Sequence, residues 1–261
     1  MGDASMEQEE RRPVPLWRAL GGMLANPTAT FAAFPAKQPW FMPLLLFGVI
    51  GAVGGWVVAS ATSDVVLARI EELSGQAGNP MGDPSAVASF AGTVMMVSAT
   101  ASGFFGPFLD VLMTAAVTWI VAAAARAVLP FSQLFSLTAY AHLPHVFGTV
   151  LLAVLVASGL FDPLAMPGVV PTSLAVVVPG EPGSFLAGVF GHVELFTLWS
   201  TVLLGIGLGA AARRSARWGI GVAVAGWLLI AVVSAGLGSL LPNPGTLPAA
   251  PGGVPGSGVP Q

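Results

Sequence analysis

Six ionisable side chains fall in or beside stretches that are otherwise apolar: Asp110, Arg126, His142, His145, His192 and Glu194. A charge held in hydrocarbon costs a few kcal/mol or more, so each is a functional candidate whose partner must be named. Carboxylates and imidazoles together can bind a cation, pass protons or line a polar path. His142 and His145 are three apart, which on a helix puts both rings on one face at metal-ligand spacing. Pro144 stands between them and can kink the chain, splitting that face. Two histidines without a third ligand do not make a metal site, so neither a metal nor a cofactor is expected. His192 and Glu194 are two apart and point to different faces, so their partners must come from other helices. Interhelical hydrogen bonding accounts for them as readily as a functional cluster does. Asp110 follows Pro107 by three residues, near the outer end of its span, where water can reach it. Arg126 lies close to a helix end and can snorkel to the headgroups as a topology anchor.

Other chemistries are poorly supplied. No GxSxG, HExxH, Walker A or GxGxxG fingerprint occurs in a credible context. Serine, histidine and aspartate are too scattered to propose a triad. Zero cysteines exclude thiol nucleophiles, Cys-ligated zinc and iron–sulfur centres. No catalytic residue is assigned, and the expected role is non-enzymatic. A net charge of -3 with no basic block gives nucleic-acid binding no electrostatic source. Membrane lipids are the expected partners, with other membrane proteins or a second copy beside them.

The elements that must position these residues follow from the scarcity of charge. Charged residues make up 8% of the 261, against about 25% in an ordinary soluble domain. Hydrophobic residues reach 55%. A folded monomer of this composition in water would leave contiguous apolar patches. The expectation is an all-α, polytopic membrane protein: a five-helix transmembrane bundle with N-terminal amphipathic helices.

Residues 1–15 are polar, charge-mixed and proline-ended, reading as a disordered tail rather than a cleavable signal, because the first long apolar run begins only near Trp40. The membrane domain is expected over 16–241. From Leu16 to Phe34 apolar residues recur near helical spacing, divided at Asn26-Pro27, where Asn suits an N-cap and Pro a first helical position. Two short helices result. Their apolar face fits the membrane surface and the protein's own cytoplasmic end equally well.

A span needs roughly 20 mostly apolar residues. Five are expected, at about 43–61, 107–129, 144–159 with part of the preceding helix, 191–212 and 218–241. Residues 242–261 are Pro- and Gly-rich and read as an unstructured tail. Residues 86–105 are uncharged and about span length, and the positive charges arbitrate. With five spans and a cytoplasmic N-terminus, Arg11, Arg12, Arg18, Lys37, Arg126, Arg213, Arg214 and Arg217 fall inside and Arg69 alone outside. A sixth span would leave four inside and five outside. Residues 86–105 are therefore expected at the outer interface or as an extension of the second span, with a break at Gly103–Pro107. Upstream, an apolar stripe from Val65 to Leu73 is expected as an outer amphipathic helix capped by Ser63 or Asp64. Small residues at i, i+4 (Gly51 with Gly55, Gly205 with Gly209, Gly221 with Ala225) fit close helix packing, within a chain or between chains.

Three stretches together resemble the bacterial branch of the Yip-one family of multi-pass membrane proteins. The first, 17–34 running into 43–56, is similar to its amphipathic lead-in with a Pro-x-x-Thr-Phe core, here Pro27, Thr30 and Phe31. The second, 131–155, resembles its short aromatic helix, Ala-rich turn and proline, here Pro144. The third, 195–219, is similar to its Trp-bearing fourth span, here Trp199, and the basic loop of Arg213, Arg214 and Arg217. The resemblance implies a five-helix bundle with a cytoplasmic N-terminus. Eukaryotic members are associated with small GTPases and vesicle traffic, but their Asp-Leu-Tyr-Gly-Pro signature is missing here, so GTPase binding is not carried over. Richness in Ala, Gly, Val and Pro with a single Lys suggests a GC-rich bacterial genome, hence a plasma-membrane protein with its C-terminus outside. The expected role is an organising or adaptor protein whose lead-in helices and basic loop face the cytoplasm. The alternative is a small-solute or ion transporter using Asp110, His142, His145, His192 and Glu194.

Overall fold

The structure, a computed structural model, describes residues 12–76, 84–165, 169–178 and 184–240. Residues 1–11 of the tail expected at 1–15, and all of the tail expected at 242–261, lie outside them. Among the described residues the chain forms nine α-helices and no strands. Two short helices come first, α1 (Leu16–Ala25) and α2 (Pro27–Ala32). Asn26 divides them as its sequence predicts: its side chain accepts from Ala29 N at 3.0 Å, and Pro27 fills the first helical position.

The apolar face of this pair is covered by the protein itself. Ala19, Met23, Phe31 and Phe34 join the buried core with Leu134, Leu137 and Tyr140 and with Leu203, Leu204 and Leu208. Phe34 meets the Tyr140 ring edge-on at 4.9 Å. Gln38, only 3% exposed, fastens the chain start to that core. Its amide brackets Val14, accepting from N at 3.0 Å and donating to O at 2.8 Å, and also donates to the Tyr140 hydroxyl at 3.0 Å. Trp17 and Leu24 remain outward.

Next comes a long hairpin, α3 (Phe41–Gln76) against α4 (Pro84–Ala124). A Cβ on Gly51 would collide with the Gly103 carbonyl, one on Gly55 with the Ala99 carbonyl, and one on Gly48 would lie 2.8 Å from Phe104 O. The Gly51/Gly55 pair therefore brings two backbones of one chain together. At 1.5 Å per residue the 41 residues of α4 run to about 61 Å, beyond the roughly 40–45 Å of a bilayer. The break expected at Gly103–Pro107 is not made: the helix carries Pro107 internally, so 86–105 extend the second span. Proline is tolerated in membrane helices because neighbours and local adjustment satisfy the freed carbonyl. The cap expected at Ser63 or Asp64 is likewise absent, because α3 continues through both residues.

The third crossing has two pieces, α5 (Phe131–Ala141) and α6 (Leu143–Ala157), joined at His142. So has the fourth. Where a single span from 191 was expected, α7 (Phe185–His192) is followed by a break and then α8 (Leu195–Ala211). The last is α9 (Ala216–Leu240). Gly205 on α8 faces Ile220 of α9, and Gly188 on α7 faces Ala235. Seventeen residues back along the chain match fifteen onward along α9, so α7 and α8 lie along α9 as two halves of one interrupted rod. Among the described residues four helical stretches, 41–72, 85–124, 131–157 and 216–240, are long and apolar enough to cross a membrane, and Leu195–Ala211 is a shorter apolar fifth.

One end of the bundle collects the basic loops. Arg126 and Arg213 each adopt a left-handed backbone conformation just past a helix terminus, with φ of 60° and 53°. The Arg214 guanidinium donates to Arg126 O at 3.2 Å and lies 4.6 Å from the centroid of the Trp218 ring. Arg217 stands exposed beside them. Aromatic rings mark the same end: Trp40 meets Phe135 at 5.1 Å and Trp119 meets Phe131 at 6.2 Å, suiting an interfacial belt.

Candidate functional site

Both interrupted crossings open onto one cavity of about 430 Å³, bordered by α4, α6, α8, α9 and the segment around Val170. All five polar candidates line it: Asp110, His142, His145, His192 and Glu194. Counted along the helices, Asp110, His142 and Glu194 stand roughly 15–25 Å from the basic end. That is between the middle and the far side of a hydrocarbon core about 30 Å thick.

The second half of the fourth crossing, α8, is regular because its start is capped. Glu194, 7% exposed, accepts from Thr197 N at 2.7 Å and from Thr197 Oγ1 at 2.8 Å on one oxygen, and from Thr172 Oγ1 at 2.6 Å on the other. The backbone released by the break is also paired. Leu174 N donates to Val193 O at 2.8 Å and Leu195 N to Thr172 O at 3.3 Å, forming a bridge between Ser173 and Glu194. Irregular backbone at this depth is sustained where it borders a cavity and its polar groups find partners.

At the other break, His142 is buried and half-exposed Asp110 leans on it, Oδ2 lying 2.9 Å from Nε2. His142 Nδ1 lies 3.1 Å from Thr138 O. A carbonyl only accepts, so Nδ1 carries a hydrogen. Nε2 then faces a carboxylate, acceptor to acceptor, unless a cation is shared between them, a proton being the simplest. Pro144 does not separate the two histidines: their rings stack at 4.7 Å and 14°. Pro144 occupies the first turn of α6, where its missing N–H costs nothing. His145 lies on α8's polar face, Nδ1 2.9 Å from Ser200 Oγ and Nε2 3.4 Å from Thr197 Oγ1. A continuous polar string thus runs from Asp110 through the stacked imidazoles and Thr197 to Glu194.

His192 Nε2 and Trp227 Nε1 also border the cavity, buried and without a hydrogen-bond partner among the described residues. Buried donors and acceptors are nearly always paired, so these two stand out among the residues that line the cavity. The Ser200–His145 contact has the reach of a nucleophile and its base. The far nitrogen of His145 meets a threonine rather than a carboxylate, so the arrangement suits binding better than acyl transfer.

The residues that carry the family resemblance lie elsewhere. Thr30 bonds Asn26 O at 2.9 Å, Phe31 fills the core over Gly207, and Trp199 stacks on Phe147 at 5.9 Å. Pro27, Thr30, Phe31, Pro144 and Trp199 do not line the cavity; they build the frame. Sequence reasoning missed Thr138, Thr172, Thr197, Ser200 and Trp227. Thr197, Ser200 and Thr201 stand at i, i+3, i+4, a polar stripe on an otherwise apolar helix that could have marked this face. Thr172 offered no such signal, being brought in by the loop.

A family model described as the Yip1 domain matches residues 21–238. Among curated proteins the chain is similar to "Membrane protein YknW" of Bacillus subtilis (strain 168), 24% identical over 221 residues, covering 84% of this chain and 90% of that relative. No solved structure gives a significant match.

Proposed function

The chain belongs to the Yip1 domain family of integral membrane proteins, and from that premise we propose that it is non-enzymatic and admits a small polar solute or ion to an intramembrane cleft. We place its basic end, with Arg126, Arg213, Arg214 and Arg217, in the cytoplasm of a bacterial plasma membrane, following the positive-inside rule. One observation carries the reading: five ionisable side chains from three crossings and a helix break converge on one cavity. Interrupted helices with polar groups near mid-membrane are the architecture by which transporters bind their cargo.

The organising role expected from the sequence rested on a surface-active lead-in stripe and on the absence of a catalytic constellation. Most of that stripe packs on α5 and α8, with Trp17 and Leu24 outward, which shifts the weight to the cleft. The test is flux into proteoliposomes under gradients of protons, of Mn2+ and of neutral amino acids. At least one should move faster than into empty vesicles, and Asp110→Ala and His145→Ala should each slow it at least tenfold. No flux above empty vesicles for all three probes contradicts transport.

A further inference from the structure

The sequence lacked a third ligand to set beside His142 and His145, and the fold supplies it. Asp110, thirty-two residues earlier on α4, brings a carboxylate oxygen to the pair, and one donor atom from each of the three lies within 4.8 Å of the others. We propose that Asp110, His142 and His145 form a binding site for a divalent transition-metal ion, open to the cleft. This inference rests on the transport reading only in naming the cleft's cargo; the binding site itself stands on the geometry.

Four features support it. The donor set is two imidazole nitrogens and one carboxylate oxygen, which suits zinc, cobalt, manganese or iron rather than calcium or magnesium. Each histidine is steadied through its other nitrogen or a neighbouring hydroxyl. His142 Nδ1 is held on the Thr138 carbonyl at 3.1 Å, directing Nε2 at Asp110, and His145 Nδ1 sits 2.9 Å from Ser200 Oγ. Such outer partners are what orient metal-ligating imidazoles. Next, the 2.9 Å approach of Nε2 to Oδ2 holds an imidazole nitrogen and a carboxylate oxygen near the separation that a shared metal ion spans. Finally, the cavity on the open side leaves room for water or further ligands to complete the coordination.

The ligands of an ion bound at about 2.0–2.1 Å in a tetrahedral site stand roughly 3.3 Å apart. Asp110 and His142 are a few tenths of an ångström from that separation. His145 must turn out of the ring stack, and the contact it would give up is its longest, the 3.4 Å approach to Thr197 Oγ1. The Glu194 carboxylate does not compete for this ion, because its oxygens are both taken by threonines and the Thr197 backbone.

The experiment is titration of the full chain in lipid nanodiscs with Co2+ alone, read by its visible absorption and by calorimetry. One equivalent should bind with the bands of a low-coordinate nitrogen and oxygen site, and Zn2+ should displace it. Asp110→Asn and His145→Gln should each weaken binding on the order of 100-fold. Asp110 is half exposed and makes a single hydrogen bond, so Asp110→Asn is expected to keep the wild-type unfolding temperature and to serve as the decisive variant. Absence of Co2+ binding, or binding that Asp110→Asn leaves unchanged, overturns the site. Co2+ binding with no flux of protons, Mn2+ or neutral amino acids would leave the site standing and remove the transport reading. Flux of another solute without Co2+ binding would do the reverse.

Discussion

Glu194→Leu is expected to destabilise the folded bundle by about 2–4 kcal/mol, the sum of a lost helix cap and of buried donors left without an acceptor. The substitution is close in size and more apolar, so a hydrophobicity argument alone predicts gain rather than loss in a membrane protein. The geometry predicts loss because Thr197 N, Thr197 Oγ1 and Thr172 Oγ1 all spend their hydrogens on this one carboxylate. Without it the start of α8 frays, and the bridged turn at Thr172–Leu174 loses its side-chain tie to the break. Glu194→Gln keeps one acceptor oxygen and should lose about half as much. Apparent unfolding temperature in detergent, followed by tryptophan fluorescence, separates the three proteins. An unfolding temperature for Glu194→Leu equal to wild type would mean that the carboxylate does not hold the break. Asp110 provides the contrast: half open to the cavity, it should matter for what the cleft binds and little for whether the bundle folds.

The second large effect is expected from Gly103→Leu. Its Cβ would enter the Gly51 carbonyl, and backbone cannot rotate aside as a side chain can. Overpacking of this kind costs about 3 kcal/mol or more, and the α3–α4 hairpin must part along its length to admit it. Gly221→Leu is the matched control, because a Cβ there meets nothing within 4 Å. Both glycines sit in apolar helices and receive the same side chain, so propensity and hydrophobicity cancel. We expect Gly103→Leu to yield little monodisperse protein after detergent extraction and Gly221→Leu to yield wild-type amounts. Equal yields would refute the close approach of α3 to α4.

The long apolar helices were legible in the sequence because lipid imposes a length that few arrangements satisfy. Arg126 and Arg214, placed on one side by counting, prove to be in direct hydrogen-bond contact. What a periodic stripe cannot state is its partner: Met23 and Phe31 suited lipid or protein equally, and only the assembled α5 and α8 decide. The length of 86–129 as one helix predicts a break, and Gly103–Pro107 is where the chain permits it, since proline removes a hydrogen bond. In a membrane the neighbouring helices restore the balance, and the helix continues. The candidate site was legible as a set of residue types but not as a place. Asp110 and His142 are joined by the pairing of distant helices, to which sequence spacing is blind. Glu194 looked like a charge within a span, yet it stands at a break, where a carboxylate caps rather than burdens the helix.

A transport cleft of this kind requires that water reach its polar residues inside an otherwise lipid-facing bundle. The chain contains no cysteine, so single cysteines can be introduced without altering a native thiol. Thr114 and Leu152 border the cavity, while their near neighbours Met113 and Val150 are exposed on the outer surface of the bundle at similar depth. Only a thiol in contact with water ionises and reacts with a small charged methanethiosulfonate. In proteoliposomes, Thr114→Cys and Leu152→Cys should react at least tenfold faster than Met113→Cys and Val150→Cys. Equal, slow reaction at all four positions would contradict the cleft.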